Sequence, residues 1–179
     1  MPVLCSERIP GQRIMLRPPQ LDDAAELFEG ITCDPEAARY MRWEPHTDVG
    51  QTRRMVAQRM HASEGDQTWI IALQTSGDVV GFIRCSLSTR DAVEIGCCLG
   101  RRWWGTGLMS EAFGLMLAAL EADAHVKRVW ATCDVDNSRS ARLLERCGFA
   151  FEGRLARYGV FPMLGAEPRD CLLYAKGLR

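Results

Sequence analysis

The tightest constraint on this chain lies between residues 92 and 123. A largely apolar run, Ala92 to Leu99, ends in Gly100-Arg101-Arg102-Trp103-Trp104-Gly105-Thr106-Gly107, and a helical pattern follows from about Leu108 to Asp123. That pattern is apolar nearly all round (Met109, Phe113, Leu115, Met116, Leu117, Leu120), which predicts a buried helix. Strand, short glycine turn and buried helix in succession require a sheet with helices packed on it. The turn also carries chemistry. A helix start presents unpaired N–H groups and the positive end of the helix dipole. Gly105 and Gly107 let the backbone approach a ligand closely, and Arg101 and Arg102 add charge, so the segment reads as a pyrophosphate cradle. It is neither a P-loop, because Leu108-Met109 stands where Lys-Ser/Thr is needed, nor a Rossmann fingerprint, because Ser110 replaces the third glycine.

The remainder fits the same plan. Ile14 to Arg17 predicts a strand closed by Pro18-Pro19. Helices are predicted from Asp22 through Ile31, from Pro35 through Met41, and from Gly50 to Ala62. Thr68–Leu73, Val79–Leu87 and Ala92–Leu99, separated by Ser76-Gly77-Asp78 and Arg90-Asp91, predict an antiparallel meander. Val129–Cys133 is a strand, Asn137–Arg146 a helix with Gly148 at its end, and Phe149–Tyr158 and Cys171–Ala175 are the last strands, with a loop over Gly159–Pro168. The fold class is therefore mixed α/β around one sheet.

The 179 residues suit a single domain over 1–179. Lys and Arg number 22 against 23 Asp and Glu, a net charge of −1, which excludes the basic field of a general nucleic-acid binder. No apolar run reaches the length of a membrane span, and Met1 to Arg17 lacks the apolar core of a signal peptide, so a cytosolic protein free of the membrane is expected. The eight cysteines (5, 33, 85, 97, 98, 133, 147, 171) form no C-x-x-C pair and lie out of metal-ligand spacing with His46, His61 and His125, so no metal is expected. Cys85, Cys97, Cys98, Cys133 and Cys171 fall in apolar runs and read as reduced, buried hydrophobes rather than catalytic thiols.

Arg102-x-x-Gly105-x-Gly107 is similar to the Q/R-x-x-G-x-G/A signature of the GNAT superfamily of acyl-CoA N-acyltransferases. Glu94-Ile95-Gly96, Trp104-Gly105-Thr106-Gly107-Leu108-Met109-Ser110-Glu111-Ala112, and Asn137-Ser138-Arg139-Ser140 followed by Leu143-Leu144-Glu145-Arg146-Cys147-Gly148-Phe149 resemble its RimJ/RimL-type branch. So do Ile14-Met15-Leu16-Arg17-Pro18 and Asp170-Cys171-Leu172-Leu173-Tyr174. These motifs stand in order over nearly the whole chain.

The resemblance implies a mostly antiparallel central sheet, splayed between its fourth and fifth strands near a bulge in Ala92–Leu99. The pantetheine arm of acetyl-CoA, the co-substrate, would lie in that gap on the backbone of Cys97, Cys98 and Leu99. The Cys98 N–H would polarise the thioester carbonyl as a one-donor oxyanion hole. Arg102, Trp104, Gly105, Thr106, Gly107 and Leu108 would hold the pyrophosphate, and Asn137 and Ser140 would contact the pantetheine arm or the sulfur end. Glu94 is the candidate base for the acceptor amine, with an exposed or ion-paired structural carboxylate as the plain alternative. Trp43 and Tyr158, with Glu94, are the candidate acceptor residues, and Phe161 would border the wall beside Tyr158. Arg139, Arg142 and Arg146 share a helix face that reads as solvated, with a contact to the ribose phosphate as the alternative. Two departures stand out. Leu144 replaces the tyrosine that protonates the leaving thiolate in many relatives, leaving Ser140 or a water for that task, and Cys97 stands where the branch usually has tyrosine.

The function so implied is transfer of an acetyl group to a primary amine, either a protein N-terminus such as that of a ribosomal protein or a small amine. Transfer would go by direct attack with both substrates bound, without metal or covalent enzyme intermediate, in a possible homodimer. A catalytically weak acyl-CoA-binding sensor is the alternative.

Overall fold

The computed structural model describes residues 8–61 and 65–179. Eight strands form one sheet: β1 (Ile9–Pro10), β2 (Ile14–Arg17), β3 (Asp66–Leu73), β4 (Val79–Leu87), β5 (Ala92–Leu99), β6 (Arg128–Asp134), β7 (Ala150–Gly159) and β8 (Arg169–Gly177). Their order is β1-β2-β3-β4-β5-β6-β8-β7. Every neighbouring pair is antiparallel except β5–β6, which is parallel.

Side-chain alternation sorts the strands' residues onto two faces. On one face Val93, Ile95, Ile83, Cys85, Val129 and Ala131 pack against helix α4 (Leu108–Glu121) and helix α5 (Ser138–Arg146). On the other face Ile70, Val79 and Cys98 meet α1 (Asp23–Leu27), α2 (Pro35–Ala38) and α3 (Val49–Met60). Phe113, Met116 and Leu120 of α4 are each about 1% exposed, as expected of a helix apolar nearly all round. Among the described residues, no helix is long and apolar enough to cross a membrane.

The meander matches its expected bounds within two residues. The first helix departs from expectation: α1 stops at Leu27, and Phe28–Thr32 continues as a π-helical turn. This turn lies against Gly100, where a side chain would meet the Gly30 carbonyl at 2.9 Å. The helix expected through Met41 ends at Ala38, and the chain continues through turns and bends to the start of α3. The end expected for α3 at Ala62, like Cys5, lies outside the described residues. The bulge expected in Ala92–Leu99 is absent, since β5 keeps unbroken register with β4 from Gly81–Leu99 to Leu87–Val93. The sheet opens for a different reason. β6 pairs with β5 only at Ala92–Arg128, Val93–Val129 and Glu94–Trp130, then stays with β8 through Asp134–Cys171.

Candidate functional site

The opening between β5 and β6 begins beyond Glu94. Ladder parity decides which backbone groups face it. The Gly100 N–H donates to the Val80 carbonyl at 2.9 Å, so the even-numbered residues of β5 exchange hydrogen bonds with β4. The Cys98 N–H therefore points to β4 opposite Phe82, and the sequence-based choice of Cys98 as carbonyl donor does not fit. The N–H groups of Cys97 and Leu99 are the ones that face the opening. The Leu99 carbonyl on that side accepts from Trp104 Nε1 at 2.8 Å.

The turn after β5 is a 3₁₀ turn, Arg101–Trp103, followed by Gly105 at φ 77° and Gly107 at φ 82°. Gly107 is the N-cap of α4, and no side chain caps the helix, so its first-turn N–H groups remain directed outward. A side chain built on Gly105 would meet nothing within 4 Å, and the Thr106 hydroxyl turns back to the Trp103 carbonyl at 2.6 Å. The turn is thus not filled by its own side chains. The two arginines differ in engagement. Arg101 pairs with Asp34 at 3.0 Å, while Arg102 stacks on Trp103 with 4.6 Å to the ring centroid.

On the far side of the opening, α5 begins at the turn after β6. Asn137 caps it, its Oδ1 accepting the Ser140 N–H at 3.2 Å. That turn is held from below. Asp134, fully buried, accepts from Arg169 Nε at 2.6 Å and Nη2 at 3.1 Å and from the Asp136 N–H at 2.9 Å; Arg169 also reaches Asp136 at 2.6 Å. The two carboxylates hold the Arg169 guanidinium firmly protonated.

A cavity of about 540 Å³ joins these pieces. It brings together Cys97, Cys98, Leu99, Trp104, Gly105, Gly107, Asn137 and Ser140 from the expected set, and adds Tyr40, Met41 and Asp136. Arg102, Thr106 and Leu108 lie beside it rather than on its wall. The arginine face of α5 divides: Arg139 and Arg146 line the cavity, and Arg142 does not. Arg139 stacks on Trp104 at 3.7 Å, so Trp104 both anchors the loop and carries a cation at the cavity.

The acceptor candidates stand apart. Trp43 is half-buried beside His46, and Tyr158 is exposed under the Arg42 guanidinium, 5.5 Å from its ring centroid. Neither lines the cavity; Tyr40 and Met41 do, and Tyr40 donates to the Asp136 carbonyl at 3.4 Å. Phe161, expected on the same wall as Tyr158, is buried. Glu94 is half-buried at the last β5–β6 pair, outside the cavity and near Arg84, whose guanidinium is held by Asp66 at 2.7 Å. Leu144, in place of the tyrosine, is a core residue.

Burial disfavours the thiolates. It pushes Cys97 up to about 12 and Cys133, beside the Ser140 hydroxyl, up to about 11, with Cys85 and Cys98 raised further. These thiols are poor nucleophiles at neutral pH. Among the described residues, no three His, Cys, Asp or Glu side chains gather to hold a metal.

Sequence reasoning did not anticipate the support beneath the glycine turn. Glu111 Oε1 accepts the N–H groups of Gln12 and Arg13, both at 2.8 Å, and of Ile14 at 3.4 Å. Its Oε2 accepts from Arg13 Nε at 2.9 Å, and Arg13 Nη1 donates to the Thr106 carbonyl at 2.9 Å. The β1–β2 turn thereby fixes which way the Thr106 peptide faces. Burial alone would raise the Glu111 pKa; the donors from Arg13, Ile14 and Gln12 outweigh it and hold the carboxyl below its ordinary range. The only sequence signal was the Glu111-Ala112 pair within a motif.

Comparison with known proteins agrees with this geometry. Residues 13–150 match the acetyltransferase (GNAT) domain family. An uncharacterized N-acetyltransferase p20 of Bacillus licheniformis is 32% identical over 156 residues, covering 85% of this chain and 87% of its own. A [ribosomal protein uS5]-alanine N-acetyltransferase of Escherichia coli is 36% identical over 97 residues, 54% of this chain and 48% of its own. The crystal structure of the microcin C7 self-immunity acetyltransferase MccE, in complex with acetyl-CoA and AMP, superposes with a TM-score of 0.83 at 24% identity, covering 93% of both chains. The relatives are consistent with the RimJ/RimL-type branch. An opened β5–β6 seam, an uncapped glycine-started helix and a family match over most of the chain converge: the protein belongs to the GNAT family and is an N-acetyltransferase.

Proposed function

We propose that the protein transfers the acetyl group of acetyl-CoA to a primary amine, a protein N-terminus or a small amine, with both substrates bound together. The observation that carries this is the single cavity joining the Gly105–Gly107 turn to the Cys97–Leu99 backbone. Acetyl-CoA supplies an acyl group on a thioester, which an amine attacks without metal. The N–H groups of Gly105 and of Gly107 to Ser110 suit a pyrophosphate, the Thr106 N–H being taken by the Trp103 carbonyl, and Arg139 and Arg146 add charge at the wall. The gap-facing N–H groups of Cys97 and Leu99 supply donors to an extended amide-bearing arm and to a carbonyl oxygen, the role first given to Cys98. Ser140 is the hydroxyl at the thiol end. Glu94 accepts the proton of the amine through water, because three residues of strand, about 10 Å, separate it from Cys97. Free cysteines (seven among the described residues) and this coenzyme both suit the cytosol.

Titration calorimetry with acetyl-CoA, followed by thiol release on a panel of peptides, polyamines and aminoglycosides, tests the reading. Binding with amine-dependent release is expected. Binding without release from any amine would favour the sensor reading, which the buried Leu144 keeps in view. Glu94→Gln is expected to lower kcat about 100-fold, a usual worth of general base catalysis, with acetyl-CoA affinity unchanged. Normal kcat in that variant would remove Glu94 from the mechanism.

A further inference from the structure

Gly96 occupies an odd place for a glycine. It lies in the interior of β5, where a missing side chain weakens the strand, and its backbone φ is not positive. No packing excludes a side chain there: one built on Gly96 would meet nothing within 4 Å, and the residue is exposed. Its place is the second residue past the last β5–β6 pair, just outside the cavity, whose wall on this strand starts at the next residue, Cys97. By alternation it shares a face with Glu94 and Cys98. Opposite it in register is Arg84, fastened to Asp66, which walls one side of the strip. A glycine with free space above and no conformational need marks close approach of another molecule.

We infer that Gly96 is the specificity-determining residue of the acceptor path. The amine passes over its bare backbone, from Glu94 toward the Cys97 and Leu99 amides. The space left by the absent side chain admits an amine on a branched carbon, the α-amine of a peptide chain. A side chain at 96 would leave passage only for unbranched amines. This rests on the proposed acetyl transfer.

The test uses Gly96→Ala and Gly96→Val in the full chain. Both remove a strand glycine, so both are expected to melt at or above the wild-type Tm, with acetyl-CoA affinity within twofold by calorimetry. Acceptors are a lysine-free hexapeptide library with free α-amines and n-butylamine. The kcat/KM for peptides is expected to fall about tenfold in the Ala variant and about 100-fold in the Val variant. The peptide-to-butylamine ratio should fall at least tenfold in the Val variant. A Val variant whose peptide kcat/KM stays within threefold of wild type overturns the inference. So does a wild-type protein that binds acetyl-CoA and acetylates no peptide. Absence of any heat on adding acetyl-CoA to wild type instead strikes the proposed function itself.

Discussion

Replacing Glu111 by Ala is expected to cost about 2–4 kcal/mol of folding stability and to raise the KM for acetyl-CoA at least tenfold. One carboxylate satisfies three backbone N–H groups of the β1–β2 turn and the Arg13 guanidinium. Hydrogen bonds to a charged group contribute roughly 1.5–3 kcal/mol each, but this turn lies near the surface and water can replace part of the loss. Arg13 then has no anchor while it holds the Thr106 carbonyl, so the glycine turn loses its fixed peptide orientation. The same group sets an acid dependence. Its folded-state pKa lies below the ordinary 4.5, so its contribution is complete above that value. It disappears as pH falls through the folded-state pKa. The difference in Tm between wild type and Glu111→Gln should thus be full at pH 6 and shrink steadily below pH 4. A difference independent of pH would show that the carboxylate charge does not support the turn.

Asp134→Ala should lower the Tm by about 10 °C and weaken acetyl-CoA binding by about tenfold. Removing one partner of a buried pair typically costs about 3–5 kcal/mol, and at this chain length each kcal/mol moves Tm by about 2–4 °C. The lower part of that range applies, because the Arg169 side chain is 31% exposed and keeps Asp136. The binding loss follows from position: the Asp134 carboxylate and carbonyl hold the N–H groups of Asp136 and Asn137, and Asn137 caps the helix that brings Ser140 to the cavity. Asp136→Asn, at an exposed side chain, should leave Tm nearly unchanged. Calorimetry and thermal melts on the two variants check both statements.

The parts of this fold that are local were legible in the sequence. Thr68–Leu73, Val79–Leu87 and Ala92–Leu99 show themselves because apolar and β-branched residues run between glycine and charged turns. The α4 helix shows itself because its apolar residues leave no polar face. Gly105 and Gly107 could be placed because two glycines before a helix let the backbone come close to a ligand, and both take a positive φ in the structure. Other features depend on residues far apart in the chain. The reach of Glu111 back to residues 12–14 spans nearly a hundred positions, and no periodicity records it. The π-helical turn at Phe28–Thr32 lies against Gly100, a contact that nothing around residue 28 foretells. The donor parity of β5 was misjudged for the same reason. Which amides face the opening depends on the register with β4, fixed at Gly100–Val80, and a strand's own residues do not carry that information. Trp43 and Tyr158 lie off the cavity, and Tyr40, two residues past the early end of the helix expected through Met41, lines it.

The seam of three residue pairs between β5 and β6 has a dynamic consequence. The β3–β4, β4–β5 and β6–β8 ladders each run to seven pairs, so their amides exchange with solvent deuterium only when larger units open. The Cys97 and Leu99 amides, turned toward a cleft and away from β4, should exchange orders of magnitude faster than those of Val80 or Ile83, and slow sharply when a ligand fills the cleft. The two portions of the sheet would then behave as panels on a narrow hinge, which the bound molecule itself stiffens.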